Sequence, residues 1–126
     1  MNNTNRAGEC EDNEVRELSP YKLRRTTAYI LKHLEQDLSL IMLAAMGRTS
    51  PAHFARQFKQ ATRLTPHRYV IEYRMERAKQ LLTETDLPLA EIAVQVGCAD
   101  YRHFTALFRA HVALTPRDYR EQNRMN

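Results

Sequence analysis

Along most of this chain apolar residues return every three or four positions, the period of a helix with one buried face. Leu23, Thr27, Ile30 and Leu34, flanked by Leu31 and Leu38, make one such stripe. Ile71, Met75, Ala78 and Leu82 make another, on a helix expected to run about 18 residues at this spacing. Helix starts can be read from proline. Ser19-Pro20, Ser50-Pro51, Thr65-Pro66 and Thr115-Pro116 each pair a hydroxyl that caps a free backbone N–H with a proline that has none to lose. Further starts fall near Ser39, between Asp86 and Leu89, and at Asp100, each just ahead of an apolar-periodic run. Residues 1–18 carry no period and read as a disordered acidic leader; residues 121–126 read as a tail. The expectation is an all-α protein of seven helices.

The chain also matches itself at a shift of 50: His53-Phe54 with His103-Phe104, Phe58 with Phe108, Leu64-Thr65-Pro66 with Leu114-Thr115-Pro116, Tyr69 with Tyr119, and Gly47 with Gly97. Two similar supersecondary units are implied. In each, a short helix (Leu40–Met46, Leu89–Val96) meets a tight turn and a capped second helix, which is the helix-turn-helix pattern. The first spans 40–61 and the second 89–112, joined by a linker helix over 66–84. That linker, at 1.5 Å per residue, would be roughly 27 to 29 Å long, against about 34 Å between successive major grooves on one face of B-DNA. Tandem units of unlike sequence predict an asymmetric site read without a dimer.

Charge fits a polyanion as partner. The net charge of +4 conceals an acidic start: residues 1–19 hold two arginines against five acids, leaving +7 for the rest. No acid lies between Asp37 and Glu72, where Arg48, Arg56, Lys59, Arg63 and Arg68 accumulate, nor between Asp100 and Asp118, where Arg102, Arg109 and Arg117 stand. Such stretches suit phosphate contact, although two solvated faces would show the same charges. Phe54 and Phe58, or Phe104, Leu107 and Phe108, would anchor the second helix of each unit. The opposite face carries Ala52, Ala55, Arg56 and Lys59 in the first unit and Tyr101, Arg102, Thr105 and Arg109 in the second. A helix anchored in this way, with no acid on its outer face, can enter a major groove.

Other chemistry finds little support. From 126 residues the expectation is one domain, without a separate small-molecule effector domain. No apolar run approaches the roughly 18 to 20 residues of a membrane span. Cys10 and Cys98 form neither a disulfide framework nor a metal knuckle, which suits a cytoplasmic setting. His53 and His103 lack the further ligands a metal needs. Ser50 near His53 could be a nucleophile and base, but a capping serine explains it. Cys98 reads as a small core residue, with a redox thiol as the alternative. No catalytic residue, metal or cofactor is expected.

At this point the chain resembles the AraC/XylS family of bacterial transcription regulators, in particular its short members of the MarA, SoxS and RamA type. The resemblance covers residues 21–120. It rests on Leu43-Ala44 followed by Ser50-Pro51-Ala52-His53-Phe54-Ala55-Arg56-Gln57-Phe58-Lys59, on Arg74 with Ala78-Lys79-Gln80-Leu81-Leu82, and on Ile92-Ala93-Val94-Gln95-Val96-Gly97. Phe104–Arg109 and Leu114–Arg120 complete it. The resemblance implies a homeodomain-like fold of two helix-turn-helix subdomains on a long central helix. It also implies monomeric binding to double-stranded DNA on the bacterial nucleoid and activation through RNA polymerase. By position it assigns base contacts to Ala52, Ala55 and Arg56 in the first unit and to Tyr101, Arg102, His103, Thr105 and Ala106 in the second.

Arg56 is the first choice for a base reader, since an arginine on guanine O6 and N7 is worth roughly 1–3 kcal/mol of discrimination; a phosphate clamp is its alternative. Arg102 suits base or phosphate. Arg48, Ser50, Lys59, Arg63 and Arg109 are assigned to phosphates. The chain departs from the family pattern at Arg48, Arg63 and Ala113, where glycine is usual, at Cys98 in place of an aromatic, and at Ala106 in place of a polar reader. The competing function is a helical module that binds another regulator or RNA polymerase without specific DNA readout.

Overall fold

The computed structural model describes residues 18–124. These form seven helices: α1 Pro20–Lys32, α2 Leu40–Met46, α3 Pro51–Thr62, α4 Pro66–Glu84, α5 Leu89–Gln95, α6 Tyr101–Val112 and α7 Pro116–Arg124. No strand occurs among the described residues. The leader expected over 1–18 lies outside them except for Leu18.

Capping explains most of the boundaries. The hydroxyls of Ser19, Ser39, Ser50, Thr65 and Thr115 accept from the N–H groups of Lys22, Met42, His53, Arg68 and Asp118 at 3.1 to 3.2 Å. Asp100 accepts from the N–H of Arg102 at 3.0 Å. Helix α5 alone starts without a side-chain cap, at Pro88. Helix α7 extends through Arg124, four residues into the segment read as tail. The correction has a visible cause: the Arg124 guanidinium donates to Asp86 and to the Thr85 carbonyl, tying the last turn down without any apolar residue. That pairing also holds the Asp86 carboxyl below its ordinary range.

The described chain divides into two compact units. The first holds α1 to α3, the 38–69 segment and the first four residues of α4. Its core is Ile30, Leu43, Ala44, Phe54 and Phe58 with Thr26 and Gln57. Phe54 packs on Phe58 at 5.6 Å between ring centroids, and Phe58 meets Tyr69 edge-on at 5.1 Å. The second holds 33–37 and residues from Val70 on. Ile71, Met75, Ala78 and Leu82 pack there with Ile92, Ala93, Val96, Cys98, Phe104 and Phe108. Phe104 and Phe108 stand 5.9 Å apart and Tyr119 meets Phe108 at 5.5 Å, repeating the three-ring cluster of the first unit. Most of the helix read as a linker is therefore one wall of the second unit's core.

Helix α1 ends earlier than its apolar stripe. Leu34 and Leu38 lie beyond it, and Leu31 is 41% exposed. The chain leaves the helical path because Arg74 of α4 holds it elsewhere, its Nε donating to the Leu34 carbonyl at 2.9 Å and its Nη2 to that of Gln36 at 2.6 Å.

The two turns correct the pairing of Gly47 with Gly97. Backbone bonds run from Thr49 N to the Ala44 carbonyl and from Cys98 N to the Ala93 carbonyl, a shift of 49. Gly47 has φ −91°, like Val96 at −98°, so its backbone needs no glycine. The left-handed residue of the first turn is Arg48, φ 60°, and its counterpart is Gly97, φ 87°. A Cβ on Gly97 would stand 2.3 Å from the Leu34 carbonyl oxygen and 2.8 Å from the Arg74 guanidinium, so nothing larger fits. The second turn has one residue more before its capping Asp100, which restores the shift to 50.

Arg63 and Ala113 end α3 and α6 in the same left-handed conformation, at φ 71° and 70°. An L-residue with a side chain is strained there by about 1–2 kcal/mol. Ala113→Gly should therefore raise unfolding free energy by about 1 kcal/mol, while Gly97→Ala should lower it by about 2–4 kcal/mol. Urea denaturation reads both; an unchanged midpoint for Gly97→Ala would contradict the close packing described.

Candidate nucleic-acid interface

Helix α3 turns its phenylalanines inward, and the helical period then dictates what faces out. Ala52, Arg56 and Lys59 are exposed and Ala55 is half-buried. They recur at steps of three or four, so they share one face, and Arg63 is exposed at the left-handed cap that ends the helix. Arg48 in the turn and Ser50 at the cap are exposed at its N-terminal end. The Ser50 oxygen is occupied in accepting from His53 N at 3.2 Å, but its O–H remains free to donate, as contact with a phosphate requires. No acid lies on the helix, and the positive end of its dipole adds to the charge there.

Helix α6 presents Tyr101, Arg102, His103, Ala106 and Arg109 as exposed residues, Tyr101 at 42%. Thr105 is different. It is half-buried and its hydroxyl oxygen is enclosed without a hydrogen-bond partner. Asp100 is the nearest acid, and its carboxylate accepts from the first turn of α6.

Set side by side at the shift of 50, the two outer faces agree at one position and differ at three. Lys59 and Arg109 are both cations. Ala52 faces Arg102 in the alignment, Ala55 faces Thr105, and Arg56 faces Ala106. The arginine that could enter a groove sits a full turn later on α3 than on α6.

One arrangement had no sequence signal beyond an ordinary histidine. Nη2 of Arg56 lies 3.2 Å from Nδ1 of His53, and the side-chain amide of Gln57, buried at 6% exposure, lies 3.2 Å from its Nε2. The second unit has a histidine at the equivalent place but Ala106 and Leu107 where the partners would be.

Residues considered for other chemistry fall into structural roles. Ser50 caps α3. Cys98 is buried, which pushes its thiol pKa up against the opposing charge of Arg74, so it stays protonated at neutral pH and behaves as a core residue. Among the described residues no three His, Cys, Asp or Glu side chains gather where a metal could sit, and no helix is long and apolar enough to cross a membrane.

Comparison with known proteins agrees with this geometry. A family model described as a helix-turn-helix domain matches residues 43–122. The uncharacterized HTH-type transcriptional regulator YdiP of Escherichia coli is 37% identical over 94 residues, covering 75% of this chain and 31% of that protein. The HTH-type transcriptional activator RhaS of Klebsiella pneumoniae is 34% identical over 115 residues, covering 91% of this chain and 39% of that one. The chain thus spans only about a third of the length of these relatives. Among solved structures, the DNA-binding domain of the global transcriptional factor AdpA, in complex with a target DNA, superposes with a TM-score of 0.80 at 28% identity, over 82% of this chain and 94% of that one. Two tandem helix-turn-helix units, a matching family model and relatives named as HTH-type transcription regulators together place this chain in the AraC-type helix-turn-helix family.

Proposed function

We propose that this AraC-type DNA-binding domain reads an asymmetric duplex site as a monomer and activates transcription on the bacterial chromosome. In this reading α3 and α6 each enter a major groove, the two grooves being successive along one side of the duplex. The observation that carries it is the comparison of the outer faces. The shared cation, Lys59 or Arg109, suits a phosphate present at every site, while the three unlike positions suit unlike base sequences. Arg48, Ser50 and Arg63 join the phosphate set, and Arg102 serves base or phosphate.

Arg56 is the principal base reader, on guanine. Ala52 and Ala55 give clearance or apolar contact with a thymine methyl. Tyr101, Arg102, His103 and Ala106 line the second contact; Thr105, its hydroxyl enclosed, contributes no polar readout. Contact with RNA polymerase would convert binding into activation, a role supported by the activator RhaS among the relatives.

Affinity for a duplex selected from a random pool should fall steeply with salt. The four cations assigned to phosphate, Arg48, Lys59, Arg63 and Arg109, predict a slope of roughly −3.5 in log K against log salt. A flat response would favour a module that binds protein instead of DNA.

Arg56→Ala should reduce the preference for the selected over a scrambled duplex by about tenfold or more, whereas Lys59→Ala should weaken both alike. Equal loss on both duplexes for the two variants, measured by fluorescence anisotropy, would remove the base-reading assignment.

Arg48→Gly separates stability from binding. Relief of the left-handed strain should raise unfolding free energy by about 1 kcal/mol, while loss of the cation should make the salt slope about one unit shallower. A stabilised variant with an unchanged slope would show that Arg48 does not touch the phosphates.

A further inference from the structure

We infer that His53 is a positioning residue for base readout: its ring, braced by the buried Gln57, holds the Arg56 guanidinium ready for the groove. The inference rests on the reading of Arg56 as a base contact. The chain of reasoning starts from donors and acceptors. A guanidinium only donates, so Nδ1 of His53, 3.2 Å from Nη2 of Arg56, is an acceptor and carries no proton. The neutral ring must then carry its proton on Nε2. The Gln57 atom 3.2 Å from it is the amide nitrogen, so the pairing takes the flipped amide, which offers its carbonyl oxygen at the same place. Gln57 is buried on the core side of α3, so its amide braces the ring in place, while the Arg56 guanidinium sets the tautomer.

The consequence lies on the exposed side. Arg56 would otherwise lose the freedom of a long side chain when it enters a groove, a cost of about 0.5–1.5 kcal/mol for each side chain immobilised. The bond to His53 restricts it beforehand and uses one of its five N–H donors, leaving enough for a two-bond contact with guanine. The second unit supplies the contrast. His103 occupies the matching position, but Ala106 and Leu107 replace the arginine and the amide, and His103 is exposed while His53 is half-buried. Of the three residues the histidine alone is common to both units; the relay from core amide to surface guanidinium exists only in the first.

The test uses base-preference profiles, obtained by selecting random duplexes with the wild type, His53→Leu, His53→Asn, Arg56→Ala and the His53→Leu/Arg56→Ala pair. Relative preference does not depend on the fraction of each variant that folds. Arg56→Ala should relax preference at one guanine-containing base pair. His53→Leu should relax the same base pair about three- to tenfold and leave the others unchanged. His53→Asn, whose Oδ1 overlays Nδ1 and still accepts, should recover most of the preference, and His53→Leu should have no further effect once Arg56 is alanine. The inference is overturned if His53→Leu weakens all base pairs evenly, leaves the arginine-dependent one intact, or adds its loss in full on the Arg56→Ala background. If Arg56→Ala itself changes no base pair, the base-reading assignment falls first and this inference with it.

Discussion

Burial of two phenylalanines one helical turn apart is the constraint from which the rest of each unit follows. Phe54 and Phe58, like Phe104 and Phe108, have no exposed surface, and each pair is closed by a tyrosine ring from the following helix. Burying each ring is worth about 1.5–3 kcal/mol, and deleting one costs about 3–5 kcal/mol. That is enough to fix the rotation of α3 and α6 about their own axes. Once that rotation is set, the residues facing solvent are determined by the helical period alone, and the chain has placed cations there with no acid among them.

The duplication shows what each unit conserves and what it varies. The anchor and the capped start of the second helix recur. The turns do not. In the second unit Gly97 is compelled by the Leu34 carbonyl and Arg74 pressed against it, whereas the first turn has room for a side chain and holds Arg48 in a conformation that disfavours one. Arg48, Arg63 and Ala113 all carry left-handed strain at the edges of α2, α3 and α6. For the two arginines it coincides with a cation at a place where phosphate contact is proposed, an exchange of stability for affinity. Nothing in the structure explains Ala113 in the same way.

Much of this was legible in the sequence because the relevant forces are local. A hydroxyl followed by proline announces a helix start, and four such pairs were correct; the phenylalanine and tyrosine repeat located both cores. What was missed depended on distance or on side-chain geometry. The Arg74 clamp on Leu34 and Gln36 joins residues about 40 apart, so the stripe through Leu34 read as continuing helix. The letters match Gly47 with Gly97 at a constant shift, while the hydrogen bonds place one extra residue inside the second turn. Thr105 lies on the outer face by period, yet its hydroxyl is enclosed. The link from Gln57 through His53 to Arg56 needed coordinates, since a histidine three residues before an arginine is unremarkable by itself.

Methylation interference on a selected duplex tests the central claim most directly, because the reagent marks guanine N7 in the major groove and adenine N3 in the minor groove. Arginine readout by α3 predicts that methylating particular guanines at N7 blocks binding, and that the Arg56→Ala protein no longer senses at least one of them. Interference confined to adenine N3, or none at either position, would contradict an account in which an anchored helix reads base edges in the major groove.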